Sequence, residues 1–446
     1  MSTSRAQSML VAPIAPTLVR LATPGIALAL FQIAISVADT HYIGRLGTES
    51  LAGLALVFPM LMLLQMTSAG AMGGGVSSAV ARALGAGNRD AARRLVAHAL
   101  IIGLGGGLVF TLLLLGFGRG LYGLLGGRGG ALEQALAYSQ VVFAGAVFVW
   151  LANTLASLLR GSGNTLAPAL AFAGTALVQI PLSGALTLGW EPFPRLGIAG
   201  AAIAYVVAFG LASLVMAILV WRSALRPQFA HLRLEGRMFR EILRVGAISS
   251  LSALQTVLTA VILTGFVARF GTAALAGYGV GVRLELLQVP IVFAIAQALV
   301  VMVGTNMGAG QGERAKKIAW IGTAAAALVC MAIGWSVAVY PPLWIQIFSD
   351  DPAVVEIGSL YMRIVAPFYP LFGAGLALHF ASQGAGQMLK PVLAGTARLV
   401  LVVAGGVLVM QLGGPLAALF AVIAFGLTVL GGLTAYSVYK ARWSRA

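Results

Sequence analysis

Charge is what this chain of 446 residues has least of. Only 9% of its residues are Asp, Glu, Lys or Arg, where a soluble domain carries about 25%. Such a shortage excludes a soluble globular protein, a disordered chain and a nucleic-acid-binding domain. Cys330 is the only cysteine and sits in an apolar run, so there is no internal disulfide, CxxC pair or zinc finger. The four histidines, His41, His98, His231 and His379, fall at no metal-ligand spacing, and neither a metal centre nor a cofactor is expected. The apolar runs hold no paired carboxylates, no HExxH and no Ser–His arrangement, so the chain does not read as an enzyme. The segment MSTSRAQSMLVAPIAP lacks a short apolar core followed by a cleavage site, and no signal peptide is expected.

What the chain has instead is apolar length. Hydrophobic residues make up 60% and the mean hydropathy is +0.97. A spanning helix needs about 20 apolar residues. Runs separated by charged or Gly/Pro-rich breaks predict twelve such helices, near 16–43, 51–80, 95–117, 134–159, 166–189, 197–221, 243–268, 278–305, 318–340, 357–383, 391–413 and 415–438. The fold class read from this is an all-α polytopic membrane protein whose surroundings are the lipid bilayer. The stretches GLGGG from Gly103 and GAMGGG from Gly70 lie inside these runs and follow no strand, so they read as close helix approaches rather than nucleotide cradles.

The formal charge of +16 would point to nucleic acid in a soluble protein; here it sets orientation. With the N-terminus inside, nineteen Lys and Arg fall on the cytoplasmic side, and five, Arg45, Arg119, Arg128, Arg195 and Arg269, on the other. Arg20, Arg283, Arg363 and Arg398 lie within or at the ends of spans. The positive-inside rule then puts both termini in the cytoplasm. The longest polar segment, Arg222 to Arg244, reads as a basic surface helix or linker on anionic headgroups.

That linker separates two halves that match. GRLGTESLAG from Gly44 pairs with ARFGTAALAG from Ala268, 224 residues on, and ALGAGNRDAARR from Ala83 pairs with NMGAGQGERAKK from Asn306 at 223. RGSGNTLAP from Arg160 pairs with QGAGQMLKP from Gln383, and Glu133 and Tyr138 pair with Glu356 and Tyr361, all at 223. The organisation expected is a six-helix bundle over 1–221, a basic linker over 222–242 and a second bundle over 243–446. An even number of spans per half gives both the same orientation, so the axis relating them runs along the membrane normal, with substrate sites between the repeats.

Of twelve acids, only Asp39 and Glu285 fall inside spans, where a charge usually faces protein or water. Gln32, Ser36 and Asp39 are spaced to share one helix face, expected to turn toward the bundle interior. Asp39 there either binds a proton or small cation or sits at the hydrated outer end of its helix. Pro24 in the same helix removes one backbone hydrogen bond and favours a kink. Glu285 is two residues from Arg283, off its face, and either anchors another helix or helps bind a cationic substrate. Asn153 and His379 are weaker candidates of the same kind, and Phe31 is placed to line an adaptable apolar cavity.

The order of these elements resembles the multidrug and toxic compound extrusion (MATE) family. The resemblance is carried by LATPGIALALFQIAISVADTHYIGRLGTESLAG, ALGAGNRDAARR, RGSGNTLAP, GIAGAAIAY from Gly197 and ALAGYGVGVRLELLQVP from Ala274, over roughly residues 16–438. It implies two six-helix bundles around a V-shaped cavity and export of organic, often cationic compounds, coupled to inward flow of protons or sodium. It also makes Asp39 the coupling carboxylate, Pro24 its hinge and Tyr138 a member of the same network. Where some members carry an Asn and a second Asp on helix five, this chain has Gln179 and Ser183. Where others carry a Glu on helix seven, it has Gln255, with Ser252, Thr256 and Thr259 on the same face, and helix ten offers His379 in place of an acid.

With both of the family's carboxylate networks incomplete, a lone Asp with Tyr and Gln suits proton exchange better than sodium, which wants several oxygen ligands. The expected function is therefore a proton-coupled efflux antiporter of the inner membrane, acting as a monomer on small organic molecules. Sodium coupling at Asp39 is one alternative. The other is a flippase for a lipid-linked saccharide, which needs fixed cations for pyrophosphate; Arg283, Arg363 and Arg398 do not obviously cluster.

Overall fold

The structure, a computed structural model, describes residues 2–227 and 234–443. His231 and Arg233 of the basic linker, Arg445, and the Arg5 side chain lie outside the described residues. The first half runs α1 (Ser2–Val11), α2 (Ile14–Gly44), α3 (Thr48–Gln65), a π-helical segment (Met66–Met72), α4 (Gly73–Gly85), α5 (Arg89–Leu124), α6 (Gly129–Ala144), α7 (Ala146–Gly161), α8 (Leu166–Leu188) and α9 (Ile198–Trp221). The second runs α10 (Gly236–Ala268), α11 (Thr272–Gly308), α12 (Gly312–Val339), α13 (Pro342–Ile345), α14 (Pro352–Val365), α15 (Tyr369–Gly384), α16 (Leu389–Gln411) and α17 (Leu416–Lys440).

Eleven of these stretches are long and apolar enough to cross a membrane, and α6 with α7, bent by 49° at Gly145, makes a twelfth. The expected spans are therefore present, with most ends moved outward. The third, predicted over 95–117, is the helix Arg89–Leu124. Apolarity marks only the part of a helix that meets hydrocarbon, whereas the helix itself continues to its cap. Here the cap is Asn88, whose side chain accepts from the Ala91 backbone N–H at 2.9 Å, with Asp90 in the first turn. The short helices α1 and α13 were not anticipated, since neither produces a long apolar run.

The repeated blocks turn out to be the turns. Gly87 and Gly310, 223 residues apart, both have φ of +75°, and Gly163 and Gly386, again 223 apart, have +80° and +74°. Only glycine adopts this backbone without a steric cost, which explains why the same letters recur at a fixed offset. Helix pairing repeats with them. In the first half α3 packs on α6, α5 on α7, α7 on α9 and α8 on α9; in the second α11 packs on α14, α12 on α15, α15 on α17 and α16 on α17.

The chain divides into two compact units, one of residues 1–6 and 23–247, the other of 7–22 and 248–446. Gln7–Ala22, expected with the first bundle, thus belong to the second unit, and the beginning of α10 belongs to the first. Specific contacts fix both arms. In unit 1, Met238 and Ile242 join the buried core, the Ile242 carbonyl lies where a side chain on Gly75 would be, and Arg82 pairs with Glu241 at 3.4 Å. His98 is fully buried; its Nδ1–H donates to the Arg94 carbonyl at 2.8 Å while Nε2 accepts from the Glu235 N–H at 2.9 Å. In unit 2, Asn306 donates to the Met9 and Met302 carbonyls at 3.1 and 2.8 Å, and Arg314 donates to the Ala12 carbonyl at 2.5 Å.

Close helix approach in unit 1 rests on the glycine-rich face of α5. A side chain on Gly107 would lie 2.5 Å from the Val147 backbone of α7, and one on Gly103 would lie 2.7 Å from the Thr154 hydroxyl. The intervening Gly105 faces open space. This is small-residue packing of the kind that holds helices together where no hydrophobic drive exists between them.

Candidate ion-coupling site

Asp39 sits one turn before the end of α2, and α8 supplies its partners. Ser183 donates its hydroxyl to Asp39 Oδ1 at 2.5 Å, and Gln179 directs its amide Nε2 at Oδ2 at 3.4 Å. Gln179 and Ser183 are spaced i and i+4, so one face of α8 presents both, and both are buried. Gly184 beside them leaves room for the rings of Trp190 and Tyr42, which bring the ends of α2 and α8 together. Tyr138 on α6 is buried and close enough to Asp39 to feel its charge. Three residues singled out in the sequence, Asp39, Gln179 and Ser183, thus meet in one place, with Tyr138 in electrostatic range.

The other members of the helix-one stripe do not follow Asp39 inward. Gln32, Ser36 and Phe31 are exposed. Helical spacing states which residues share a face; it says nothing of what stands opposite, and α8 covers only the Asp39 end. Pro24 lies in unbroken helix, one residue beyond the point where the chain passes from unit 2 to unit 1.

A second set of polar groups, not anticipated from the sequence, stands beside the first. Asn153 of α7 donates its Nδ2 to Gln65 Oε1 at 3.1 Å and to Ser68 Oγ at 2.8 Å, and Gln65 Nε2 donates to the Tyr205 hydroxyl at 2.7 Å. Tyr205 also lies within electrostatic range of Asp39. Gln65 and Ser68 flank the start of the π-helical segment. There the backbone pattern widens, and the hydroxyls of Thr67 and Ser68 take up the carbonyls of Leu63 and Leu64 at 2.7 and 2.6 Å. Asn153, expected in a substrate cavity, is instead buried in this network. The only sequence signal for Gln65 was a polar residue interrupting an apolar run.

In unit 2 the polar groups are largely spent on structure. Gln255 donates to Thr396 Oγ1 of α16 at 2.8 Å, and Gly395 makes room for its amide. Thr256 and Thr259 return their hydroxyls to the carbonyls one turn back, at 2.9 and 2.7 Å. Gln255 thus joins α10 to α16, while the two threonine hydroxyls are satisfied within α10. Glu285 accepts from the Tyr361 hydroxyl at 3.3 Å and lies within electrostatic range of Arg398. Tyr361 is the repeat counterpart of Tyr138, so each half sets this tyrosine near a carboxylate in its membrane part. Arg283 turns away from Glu285, its guanidinium 5.1 Å over the Phe348 ring. His379 is half-buried with its ring 5.5 Å from that of Phe380.

Comparison with known proteins gives the following. The family model MatE matches residues 24–184 and 249–408, one copy in each half. The chain is 28% identical over 399 residues to a FAD transporter of Shewanella oneidensis, covering 88% of this chain and 87% of that one. It is 26% identical to the probable multidrug resistance protein NorM of Thermotoga maritima, covering 84% and 81%, and 22% identical to the multidrug export protein MepA of Staphylococcus aureus, covering 86% and 85%. Among solved structures it resembles a MOP superfamily transporter from Pyrococcus furiosus (TM-score 0.88, 24% identity, 97% and 98% of the two chains). It also resembles a multidrug resistance MATE family transporter in an outward-facing conformation (TM-score 0.86, 24% identity, 97% and 96%).

Proposed function

The chain belongs to the MatE family, and from that premise we propose that it is a secondary active antiporter exporting amphipathic, often cationic organic compounds in exchange for protons. The observation that carries the ion assignment is the pair of donors on Asp39. Ser183 and Gln179 both turn hydrogens toward the carboxylate. A sodium ion needs oxygen lone pairs converging from several sides, and this arrangement offers hydrogens instead. A carboxylate held by two neutral donors, beside buried tyrosines, is suited to taking up and releasing a proton. Exchange then requires that proton and substrate favour different conformations, so that each release permits the other binding event. Pro24 is the position in α2 best placed to absorb such a change, because it has no N–H to keep the local helix bond.

The excess of basic residues on one side supports both termini in the cytoplasm, and the similarity to bacterial transporters supports residence in the inner membrane. The test is dye efflux from proteoliposomes under separately imposed pH and sodium gradients. Efflux driven by the pH gradient alone is expected; dependence on the sodium gradient would move the assignment to sodium. A second reading, export of an anionic dinucleotide, is favoured by the similarity to the Shewanella protein named as a FAD transporter. Competition between a cationic dye and FAD in the same vesicles separates the two.

A further inference from the structure

The duplicated turn before the third helix of each half treats its cations differently in the two copies. In the first half the motif supplies Asp90, Arg93 and Arg94, and all are engaged within the chain. Arg93 pairs with Asp90 at 3.7 Å and donates to the Ala224 carbonyl at 3.1 Å, and Arg94 pairs with Glu235 at 3.6 Å. The positions 223 residues on are Glu313, Lys316 and Lys317. Among the described residues no ion pair involves either lysine. Lys316 reaches only the Tyr439 carbonyl at the end of α17, at 3.5 Å, which leaves two of its three N–H groups for another acceptor. Glu313 lines the same stretch of α12, yet among the described residues neither it nor any other acid is ion-paired with these lysines as Glu235 is with Arg94.

A second change accompanies the first. The first half has buried Ala97 where the second half has Trp320. Glu313, Lys316, Lys317 and Trp320 are spaced i, i+3, i+4, i+7 and form one stripe of α12. With Arg314 and Tyr439 they line a recess of about 610 Å³. Trp320 lies about 12 Å along the axis from the start of α12, at 1.5 Å per residue, and is 37% exposed, while Tyr439 is 69% exposed. Cations at the helix start with indole and phenol rings at the edge of the apolar run reproduce the layering of a membrane interface, where aromatic rings sit at headgroup depth.

We propose that this recess binds the phosphate headgroup of an anionic phospholipid of the cytoplasmic leaflet. Lys316 and Lys317 meet the phosphate, and Trp320 and Tyr439 flank the glycerol and upper acyl region. The leaflet assignment rests on the orientation proposed above; the binding itself does not depend on the transport reading, so the two fail separately. Arg314, whose guanidinium holds the Ala12 carbonyl, places the headgroup beside the arm of residues 7–22.

The test uses the full chain, delipidated in non-ionic detergent and titrated with phosphatidylglycerol or phosphatidylcholine, with bound lipid counted by native mass spectrometry. Preferential retention of phosphatidylglycerol is expected. A surface lysine near anionic lipid contributes about fivefold in affinity, so Lys316→Gln with Lys317→Gln should weaken binding about thirtyfold. Lys390→Gln, an exposed cation elsewhere, should leave it unchanged. Should the double variant not fold, Lys317→Gln alone, on an exposed side chain, is expected to lose about fivefold. Equal retention of the two lipids, or undiminished binding by the lysine variants, would overturn the proposal. So would inorganic phosphate displacing phosphatidylglycerol at equal concentration, since the recess would then hold a soluble anion.

Discussion

Ser183 and Asp39 are joined by a 2.5 Å hydrogen bond across 144 residues of sequence, the shortest side-chain link between α2 and α8 among the described residues. Because the hydroxyl hydrogen points at the carboxylate, the bond is charge-assisted when Asp39 is ionised and weakens when it is protonated. The strength with which α8 holds α2 therefore changes with the proton.

Replacing Asp39 by Asn keeps the size and a carbonyl for Ser183 but removes the exchangeable proton. Asp39→Asn is expected to abolish pH-driven efflux in proteoliposomes while eluting as a folded protein in detergent. Unchanged coupled efflux would rule out Asp39 as the coupling group.

The two donors on Asp39 should not weigh equally. The Ser183 contact is short and charge-assisted, whereas that from Gln179 is long at 3.4 Å. A hydrogen bond to a charged group contributes about 1.5–3 kcal/mol, so Ser183→Ala should slow pH-driven efflux by roughly tenfold or more. Gln179→Ala should cost distinctly less. Rates measured side by side at one pH check the order, and the reverse order would contradict it.

Asn153 ties three elements together through one amide. Asn153→Leu fills the same space but leaves Gln65 Oε1 and Ser68 Oγ without their donor. Interhelical hydrogen bonds in membrane proteins are worth about 0.6–1.7 kcal/mol each. With two such bonds removed, a loss of about 1–3 kcal/mol is expected in a thermal unfolding assay, without loss of the ion dependence of any remaining transport.

Gly107 and Gly105 sit two residues apart on α5 and face different surroundings. Gly107→Ala drives a methyl group against the Val147 backbone and should destabilise by about 1–3 kcal/mol. Gly105→Ala meets nothing within 4 Å and should be neutral or mildly stabilising. Melting temperatures of the two variants test the contrast.

The spans were readable because hydrocarbon imposes apolar length on the sequence, and the duplication was readable because positive-φ glycines are fixed by geometry. Asp39 stood out as one of two acids in the spans, and its partners Gln179 and Ser183 came from the family resemblance rather than from spacing. The Gln65–Asn153–Tyr205 network was not legible. Each member is a single polar residue on a different helix, and what joins them is packing at a π-helical segment that leaves no periodic trace. Gln32 and Ser36 share the helix face of Asp39 but are exposed, because helical spacing gives the shared face and not what stands opposite it.

The arms described for the two units carry a consequence for the connectivity of the chain. Residues 7–22 complete the unit formed by the second half, and residues 236–247 complete the one formed by the first. A single protease cut in the linker between them would give two fragments, each still holding a piece of the other's fold. This is reciprocal exchange within one polypeptide, the intramolecular equivalent of a domain swap. The nicked protein is expected to migrate as one particle in detergent and to separate only on denaturation, so the linker does not alone keep the halves together.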